Sequence, residues 1–152
     1  MRARYLLPIV AACAAGVFAG CGGGSNTTTL KLIEHAETDT VRHIGPPKEE
    51  DSVGDVLAFA NPVFNAEDKK QVGTDNGSCV RTAVGKAWEC IWTLKLDEGQ
   101  LTVEGPFYDG GKESKLAITG GTDSYDEASG QMTLHARNPE ETEYDFTYEI
   151  NE

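Results

Sequence analysis

Residues 101–134 alternate apolar and polar side chains and are interrupted by glycines, and this run constrains the fold more than any other part of the chain. Leu101 and Val103 share one parity, and the same alternation returns after Gly130. A period of two with one apolar face indicates half-buried β-strands. Gly120-Gly121 and Gly130 suit a turn with positive φ and a tight bend onto a neighbouring strand. The run therefore predicts three strands of a closed β-barrel.

Strand-like segments continue along the rest of the chain, and no stretch has the i, i+3, i+4 spacing of a long amphipathic helix. Eight segments are predicted, at about 30–37, 55–64, 77–83, 87–96, 101–107, 114–119, 129–138 and 143–150. Short antiparallel strands joined by tight turns favour a meander that closes on itself. We predict an all-β domain, an eight-stranded antiparallel barrel, with a β-sandwich as the alternative. A barrel of this size is either filled by side chains or large enough for one small ligand.

The N-terminus has the pattern of a bacterial lipoprotein signal. Two arginines precede an apolar stretch, and small residues then lead into Cys21. The apolar stretch is shorter than the ~20 residues of a confident membrane span. We predict a signal peptide at residues 1–20, a lipidated Cys21 with a flexible tether at 21–29, and one domain at 30–152. An ordinary signal peptide with an incidental cysteine is the alternative. Lipidation would anchor the exported domain to the extracytoplasmic side of a cell membrane.

The chain is acidic, with 13 Lys and Arg residues against 25 Asp and Glu residues and a formal net charge of −12. Nucleic acids and anionic surfaces are bound by clustered basic residues, so we expect no nucleic acid partner. The acidic residues either bind cations or form the solvated exterior of the barrel, and the second interpretation is favoured.

Two of the four cysteines remain in the domain, Cys79 and Cys90. They flank Val84-Gly85 nearly symmetrically, so a hairpin that turns there places them opposite each other on adjacent strands. Export permits a disulfide between them. A strict two-residue loop would put the pair at a hydrogen-bonded position, where the backbones lie farther apart, and a slightly different loop would relieve this. We predict a disulfide between Cys79 and Cys90.

Several blocks, in one order, resemble the plant allene oxide cyclases and, less closely, the dirigent proteins. Gly54 to Asn61 is similar to the family's G-D-L-V-P-F-T-N strand. Asp68-Lys69-Lys70 with Val72-Gly73 is similar to its D-L-K-K-R-V-G segment. Further blocks resemble G-P-Y, L-A-I-T-G-G and the closing F-Y-T-F-Y strand, and they are Gly105 to Phe107, Leu116 to Gly121 and Tyr144 to Tyr148. The likeness covers nearly the whole domain and implies the family's barrel.

The resemblance also implies where a ligand would bind. Members of the family close an unstable allene oxide to a cyclopentenone inside the barrel, and their first-strand glutamate corresponds to Glu34. The parity of Glu34 with Leu30 and Leu32 independently predicts an inward carboxylate, which must be hydrogen-bonded, paired or protonated to be tolerated there. Glu34 is therefore the candidate catalytic residue. The predicted ligand pocket consists of inward-facing residues, namely Leu32, Leu57, Asn61, Trp88, Trp92, Phe107, Tyr144, Phe146 and Tyr148.

The chain departs from these families at positions that carry their chemistry. Ala36 replaces an asparagine that holds a water in the cyclases, and Phe107 replaces a tyrosine. Asp126 and Ser129 replace two arginines of the dirigent proteins. The predicted pocket aromatics are equally suited to a core, and Glu34 is equally suited to a buried carboxyl satisfied by a tyrosine or by water. The sequence thus leaves open whether the chain is an enzyme.

No cofactor and no metal are predicted. Gly120-Gly121-Thr122 lacks the lysine and the helix of a phosphate loop, and the histidines lie on outward parity or in a loop. We predict a lipid-anchored, extracytoplasmic barrel that binds a small apolar or amphipathic molecule in its lumen. One alternative is a cyclase or isomerase acting on a lipid-derived epoxide or a related substrate, and another is a non-catalytic structural or protein-binding surface domain. The plant cyclases are trimers, and a homo-oligomer stays open.

Overall fold

The computed structural model of the protein describes residues 27–47 and 50–151. The predicted signal peptide and the lipidated Cys21 lie outside the described residues. The described chain forms nine strands: β1 Thr27–His35, β2 Thr40–Arg42, β3 Val56–Asn65, β4 Gln71–Ala83, β5 Ala87–Leu96, β6 Gly99–Tyr108, β7 Ser114–Asp123, β8 Ser129–Ala136 and β9 Glu143–Asn151. Among these residues there is no helix long and apolar enough to cross a membrane.

The strands form a closed antiparallel barrel. From β3 to β9 each strand pairs with the next, and β1 pairs both with β9 and with β3. These contacts close eight strands, while the short β2 pairs with the start of β3. Closure pairs the backbone groups that an open sheet would expose at its edges. The predicted all-β class and the eight-stranded barrel are confirmed.

Strand boundaries extend furthest beyond the predicted ones at three places, and the short β2 was not predicted. β1 begins at Thr27, so residues 27–29, assigned to the tether, belong to a strand and pair with β9. β4 begins at Gln71 rather than at Gly77, because its polar first residues still pair with β3 and β5. β7 continues through Gly120-Gly121, which lie beside a β-bulge and not in a turn.

Apolar side chains fill one end of the barrel completely. The fully buried side chains there are Leu94, Leu101, Val103, Met132, Tyr148 and Ile150. They come from β5, β6, β8 and β9, at alternate positions along each strand, as the period of two predicts. This end therefore supplies the packed core, and it leaves the opposite end of the barrel for a cavity.

Cys79 and Cys90 form a disulfide between β4 and β5, which confirms that prediction. The hairpin loop contains three residues, 84–86, and the pairing is irregular between Arg81 and Ala83. The Cα atoms of the two cysteines are 4.0 Å apart. This is the close spacing of a non-hydrogen-bonded pair, so the irregular hairpin removes the conflict that a strict two-residue loop would create.

Candidate functional site

A cavity of about 50 Å³ lies at the less densely packed end of the barrel. Ligand pockets are usually ~300 Å³ or larger, and a cavity that holds benzene measures ~150 Å³, so this cavity has room for a water molecule or a small polar group and admits a ring only if its walls move. The lining combines acidic, aromatic and aliphatic side chains with the disulfide, and consists of Glu34, Asp39, Leu57, Phe59, Asp75, Cys79, Cys90, Trp92, Phe107, Leu134, Tyr144 and Phe146.

Glu34 lies near the end of β1, and its side chain is only 6% exposed. Asn61 Nδ2, on β3, donates to Glu34 Oε1 at 2.6 Å and to Asp39 Oδ1 at 2.8 Å. Burial raises the pKa of Glu34 to about 7, the hydrogen bond from Asn61 opposes this, and the charge of Asp39 adds to it. Glu34 can therefore exchange a proton near neutral pH.

Asn61 is held in a single orientation by the connection between β1 and β2. The Thr38 backbone N–H and the Thr38 hydroxyl both donate to Asn61 Oδ1 at 2.9 Å. The Thr38 hydroxyl also accepts from the Ala60 N–H at 2.7 Å. Because its oxygen is fully used by these donors, the Asn61 amide must present its N–H groups to the two carboxylates. Asn61 thus positions Glu34.

Asp75, on β4, faces the same cavity and is 1% exposed. Both of its carboxyl oxygens are buried and accept no hydrogen bond from a described N–H or hydroxyl group, but the Asp75 carboxyl lies within hydrogen-bond reach of the Glu34 carboxyl, so a proton can be shared between the two acids. Burial raises the pKa of Asp75 well above its usual value, and the nearby charge of Glu34 raises it further. Two buried carboxyls side by side are unfavourable unless a shared proton or a ligand compensates for them. Asp75 therefore marks this cavity as a candidate site.

Aromatic rings form the walls of the cavity. Trp92 stacks on Phe146 and meets the edge of Phe59, each at a centroid distance of 6.0 Å. Gly77 permits this arrangement, because a Cβ atom there would lie 2.3 Å from Trp92 Cβ and 2.8 Å from Phe59 Cζ. The indole N–H of Trp92 is also buried, and the Tyr148 hydroxyl is its hydrogen-bonding neighbour. The walls are thus apolar, with polar atoms at defined points.

Residues 30–147 match the sequence model of the allene oxide cyclase barrel-like domain. The chain belongs to this family. Among solved structures, a protein named pyocyanin demethylase is 27% identical, with a TM-score of 0.67, over 78% of this chain and 98% of that one. A pterocarpan synthase dirigent protein is 17% identical, with a TM-score of 0.66, over 83% of this chain and 94% of that one. An exo-specific intermolecular Diels–Alderase is 12% identical, with a TM-score of 0.66, over 84% and 99%. The last two likenesses show the fold alone.

Within this allene oxide cyclase-like barrel, the predicted pocket residues divide into two groups. Glu34 and five of the predicted pocket residues line the cavity, and the five are Leu57, Trp92, Phe107, Tyr144 and Phe146. Leu32, Asn61, Trp88 and Tyr148 do not line it. Leu32 and Tyr148 face inward but are covered by neighbouring core side chains, at 4% and 0% exposure. Inward parity therefore places a side chain in the interior without showing whether the interior is open there.

Trp88 is covered by a charged residue of β4. The Arg81 guanidinium lies 3.8 Å above the Trp88 ring. Arg81 also pairs with Asp51 at 2.7 Å and with Asp109 at 2.6 Å. These contacts occupy the guanidinium and place Trp88 under an ion-pair cluster instead of on the cavity wall.

Besides the disulfide, four cavity residues were missed by the sequence predictions, namely Asp39, Phe59, Asp75 and Leu134. Parity could have found Phe59, which lies between Leu57 and Asn61 on the same face of β3, and Leu134, which shares its face of β8 with Met132. Asp75 shares its face with Gly77 and Cys79, but its polar neighbours hid the start of β4. Asp39 lies in the connection between β1 and β2, where no period exists to predict its direction.

The connection between β2 and β3 is anchored by Asp55, which is fully buried. The Ile44 N–H donates to Asp55 at 2.9 Å, as does the Ser52 N–H, and the Ser52 hydroxyl donates at 2.6 Å. His43 Nδ1 lies 2.6 Å from the same carboxylate. Burial alone would raise the pKa of Asp55, but these hydrogen bonds outweigh it and lower the pKa below its usual range. Asp55 therefore serves as a structural anion.

Outside the barrel, His35, Asp68 and Glu143 bring three atoms of metal-ligand type within 4.8 Å of one another. His35 Nε2 lies 2.9 Å from Asp68 Oδ1. The Arg137 guanidinium lies 3.0 Å from Asp68 and 3.3 Å from Glu143. Because the guanidinium already neutralises both acids, the cluster is an ion-pair network. The sequence could not group these residues, since Asp68 lies in a turn far along the chain.

Proposed function

We propose that this barrel binds a small molecule at its cavity, with a polar group against Glu34 and Asp75 and an apolar part against the aromatic walls, which move to admit it. Two buried carboxyls carry this proposal, because Glu34 and Asp75 line the same cavity and each is almost inaccessible to water. Burying two acids side by side is unfavourable, and a structural barrel has no need to retain the pair. A polar ligand group would compensate for that cost.

The family supports a small-molecule function. Similar structures carry the names of proteins that act on or bind small molecules, namely the pyocyanin demethylase, the Diels–Alderase and a nonspecific heme-binding cyclase. The cavity of this chain occupies the barrel interior and combines apolar walls with a few polar atoms, as small-molecule sites commonly do. The ligand is therefore small and amphipathic.

Catalysis is the second candidate function, and the pKa of Glu34 favours it. With a pKa of about 7, raised chiefly by burial, Glu34 can donate or accept a proton at neutral pH. The matching reaction class is an isomerisation or cyclisation, in which the cavity holds the substrate in one reactive conformation. The allene oxide reaction itself is disfavoured, because Ala36 and Phe107 lack the polar groups of the plant enzymes.

Native mass spectrometry of the protein extracted from its own membrane tests the binding function. The expected spectrum contains a second species, heavier by the mass of one small molecule. Asp75→Asn should lose this species, because the carboxylate that holds the ligand is gone. Glu104→Gln, which changes an exposed carboxylate on β6, should keep it. Ligand-free protein alone, in both the wild type and Glu104→Gln, would contradict the proposal.

We also propose that Cys21 carries lipid and holds the barrel on the extracytoplasmic side of a membrane. The small residues before Cys21 and the apolar stretch at the N-terminus support this. Cys21→Ala should release the protein into the soluble fraction or leave its signal peptide uncleaved. A Cys21→Ala protein that stays membrane-bound with an unchanged mass would refute the lipid anchor.

A further inference from the structure

The exterior of β3, β4 and β5 carries a patch without charge. Its outward side chains are apolar or small and polar, and they are Val56, Ala58, Ala60, Asn76, Ser78, Val80, Ile91 and Thr93. In the whole chain 25% of the residues are charged, yet none of these is. On β9, by contrast, the outward residues are Glu143, Asp145, Thr147 and Glu149. This uncharged patch therefore differs in composition from other parts of the barrel exterior.

The three largest apolar side chains of the uncharged patch lie next to one another. Val56 pairs with Val80 across β3 and β4, and Ile91 lies on β5 opposite Ser78. Val80 and Ile91 are 45% and 48% exposed. Because neighbouring strands are only ~4.8 Å apart, the three side chains form one exposed apolar cluster. Contiguous apolar surface of this kind marks a site of contact with another molecule.

Opposite charges border the apolar cluster on its two sides. Arg42, on β2, is the pairing partner of Val56. Glu89, on β5, is the pairing partner of Val80, and Glu104 on β6 adds a second acid on that side. Both Arg42 and Glu89 are exposed, and neither has an ion-pair partner within the part of the chain that the structure describes. Three strand spacings, about 14 Å, separate them, so they do not neutralise each other within one chain.

A second copy of this chain fits these features. A two-fold axis that runs along the strands, midway between β3 and β4, lays the apolar cluster of one copy on that of the other. The same axis places the Arg42 side of each copy against the Glu89 side of the other copy. Two chains with a net charge of −12 repel each other, and an uncharged contact surface keeps this repulsion low. The uncharged patch and its borders are therefore self-complementary.

The proposed lipid anchor suits the same arrangement. Cys21 precedes Thr27, where β1 begins, by six residues, which span at most ~22 Å. A two-fold axis along the strands directs the start of β1 to the same side in both copies, so both anchors can reach one membrane. A two-fold axis across the strands would direct them to opposite sides. Confinement to one membrane also raises the effective concentration of the copies.

We propose that two copies of the anchored barrel associate side by side through the uncharged patch, with the apolar cluster at the centre and Arg42 of each copy paired with Glu89 of the other. This inference goes beyond small-molecule binding and rests on the proposed lipid anchor. Three strands at ~4.8 Å spacing and ~20 Å length cover only about 300 Å². A standard interface buries ~800 Å² on each partner, so the contact is weak and depends on the density of copies on the membrane.

Förster energy transfer between donor-labelled and acceptor-labelled copies tests the contact. The full lipidated chain is bound to phosphatidylcholine vesicles, with the labels outside the uncharged patch. Wild-type copies should transfer more energy than copies distributed at random at the same surface density. Arg42→Glu and Glu89→Arg should each weaken association about tenfold, because each variant places like charges together at both symmetry-related contacts.

Exchange of the charges shows whether Arg42 and Glu89 meet between copies. A mixture of the Arg42→Glu protein with the Glu89→Arg protein should restore association, because both contacts of the mixed pair then join opposite charges. A chain that carries both changes should also associate like the wild type. Lys115→Glu, at an exposed outward position of β7, changes the net charge as Arg42→Glu does and should leave association unchanged.

The outcomes separate this inference from the proposed function. A chain that does not float with the vesicles refutes the lipid anchor and the side-by-side pair together, and leaves small-molecule binding standing. A chain that floats but transfers energy like a random distribution refutes the pair alone. If the copies associate but neither the mixture nor the double variant recovers what the single variants lose, the contact lies on another surface and the inference is overturned.

Discussion

Replacing Glu34 by glutamine should stabilise the fold at high pH and leave its stability unchanged at low pH. The pKa of Glu34 is raised from 4.5 to about 7 in the folded chain, mainly by burial. Below about pH 4.5 the carboxyl is protonated in both the folded and the unfolded chain, so glutamate and glutamine are nearly equivalent. Between the two pKa values the folded chain binds more protons than the unfolded chain, and its stability falls as pH rises. Glutamine also keeps an oxygen that accepts from Asn61.

The magnitude follows from the shift. At 1.36 kcal/mol per pKa unit, a carboxyl raised to about 7 destabilises the folded chain by about 3 kcal/mol once the pH exceeds 8. Urea unfolding, followed by the fluorescence of Trp88 and Trp92 inside the barrel, measures this difference. The free energy of unfolding of Glu34→Gln minus that of the wild type should be near zero at about pH 4 and about 3 kcal/mol at about pH 8. Glu104→Gln, at an exposed carboxylate of β6, is the matched control. A Glu34→Gln variant that is less stable than the wild type at pH 8, or a difference that is constant with pH, would refute this reasoning.

Three further variants test the framework around the cavity. Asp55→Asn should lower the thermal midpoint at neutral pH and should lower it less below about pH 4. A carboxyl whose pKa is lowered in the folded chain stabilises the fold above the pKa of the unfolded chain, and this stabilisation is lost as the pH falls. An equal loss of thermal midpoint at both pH values would contradict this. The double variant Cys79→Ser, Cys90→Ala should lower the free energy of unfolding, measured in urea, by about 3 kcal/mol, because the unfolded chain is no longer constrained by the loop that the disulfide closes. An unchanged urea midpoint would contradict this. Gly77→Ala should lower the midpoint and weaken the near-ultraviolet circular dichroism of Trp92, because the added methyl group meets the tryptophan; a wild-type spectrum and midpoint would show that β4 moves to accommodate it.

Much of the fold can be predicted from the sequence, because each inward-facing strand position carries a local signal. The alternation in β5, where Trp88, Cys90, Trp92 and Leu94 are all buried, is visible without any tertiary information. The start of β4 is not, because its polar residues are placed by backbone pairing with β3 and β5. Backbone pairing with β3 and β5 thus extends β4 beyond the residues whose alternation of apolar and polar side chains predicts a strand.

The candidate site is only partly visible in the sequence. The inward direction of the Glu34 side chain follows from its parity with Leu32. The proximity of the Glu34 carboxyl to the Asp75 carboxyl cannot be predicted in this way. β1 and β4 are separated in the sheet by β3, so the two carboxyls meet only because the barrel closes. The raised pKa of each carboxyl depends on that meeting and on burial, which no local period encodes.

A crystal structure of the protein purified from its native source, without exchange of bound molecules, tests the central claim most directly. The account predicts electron density for one small molecule against the aromatic walls of the cavity, with a polar atom within hydrogen-bond distance of Glu34 and of Asp75. A cavity closed by its own side chains, with no density other than water beside the two carboxyls, would contradict it.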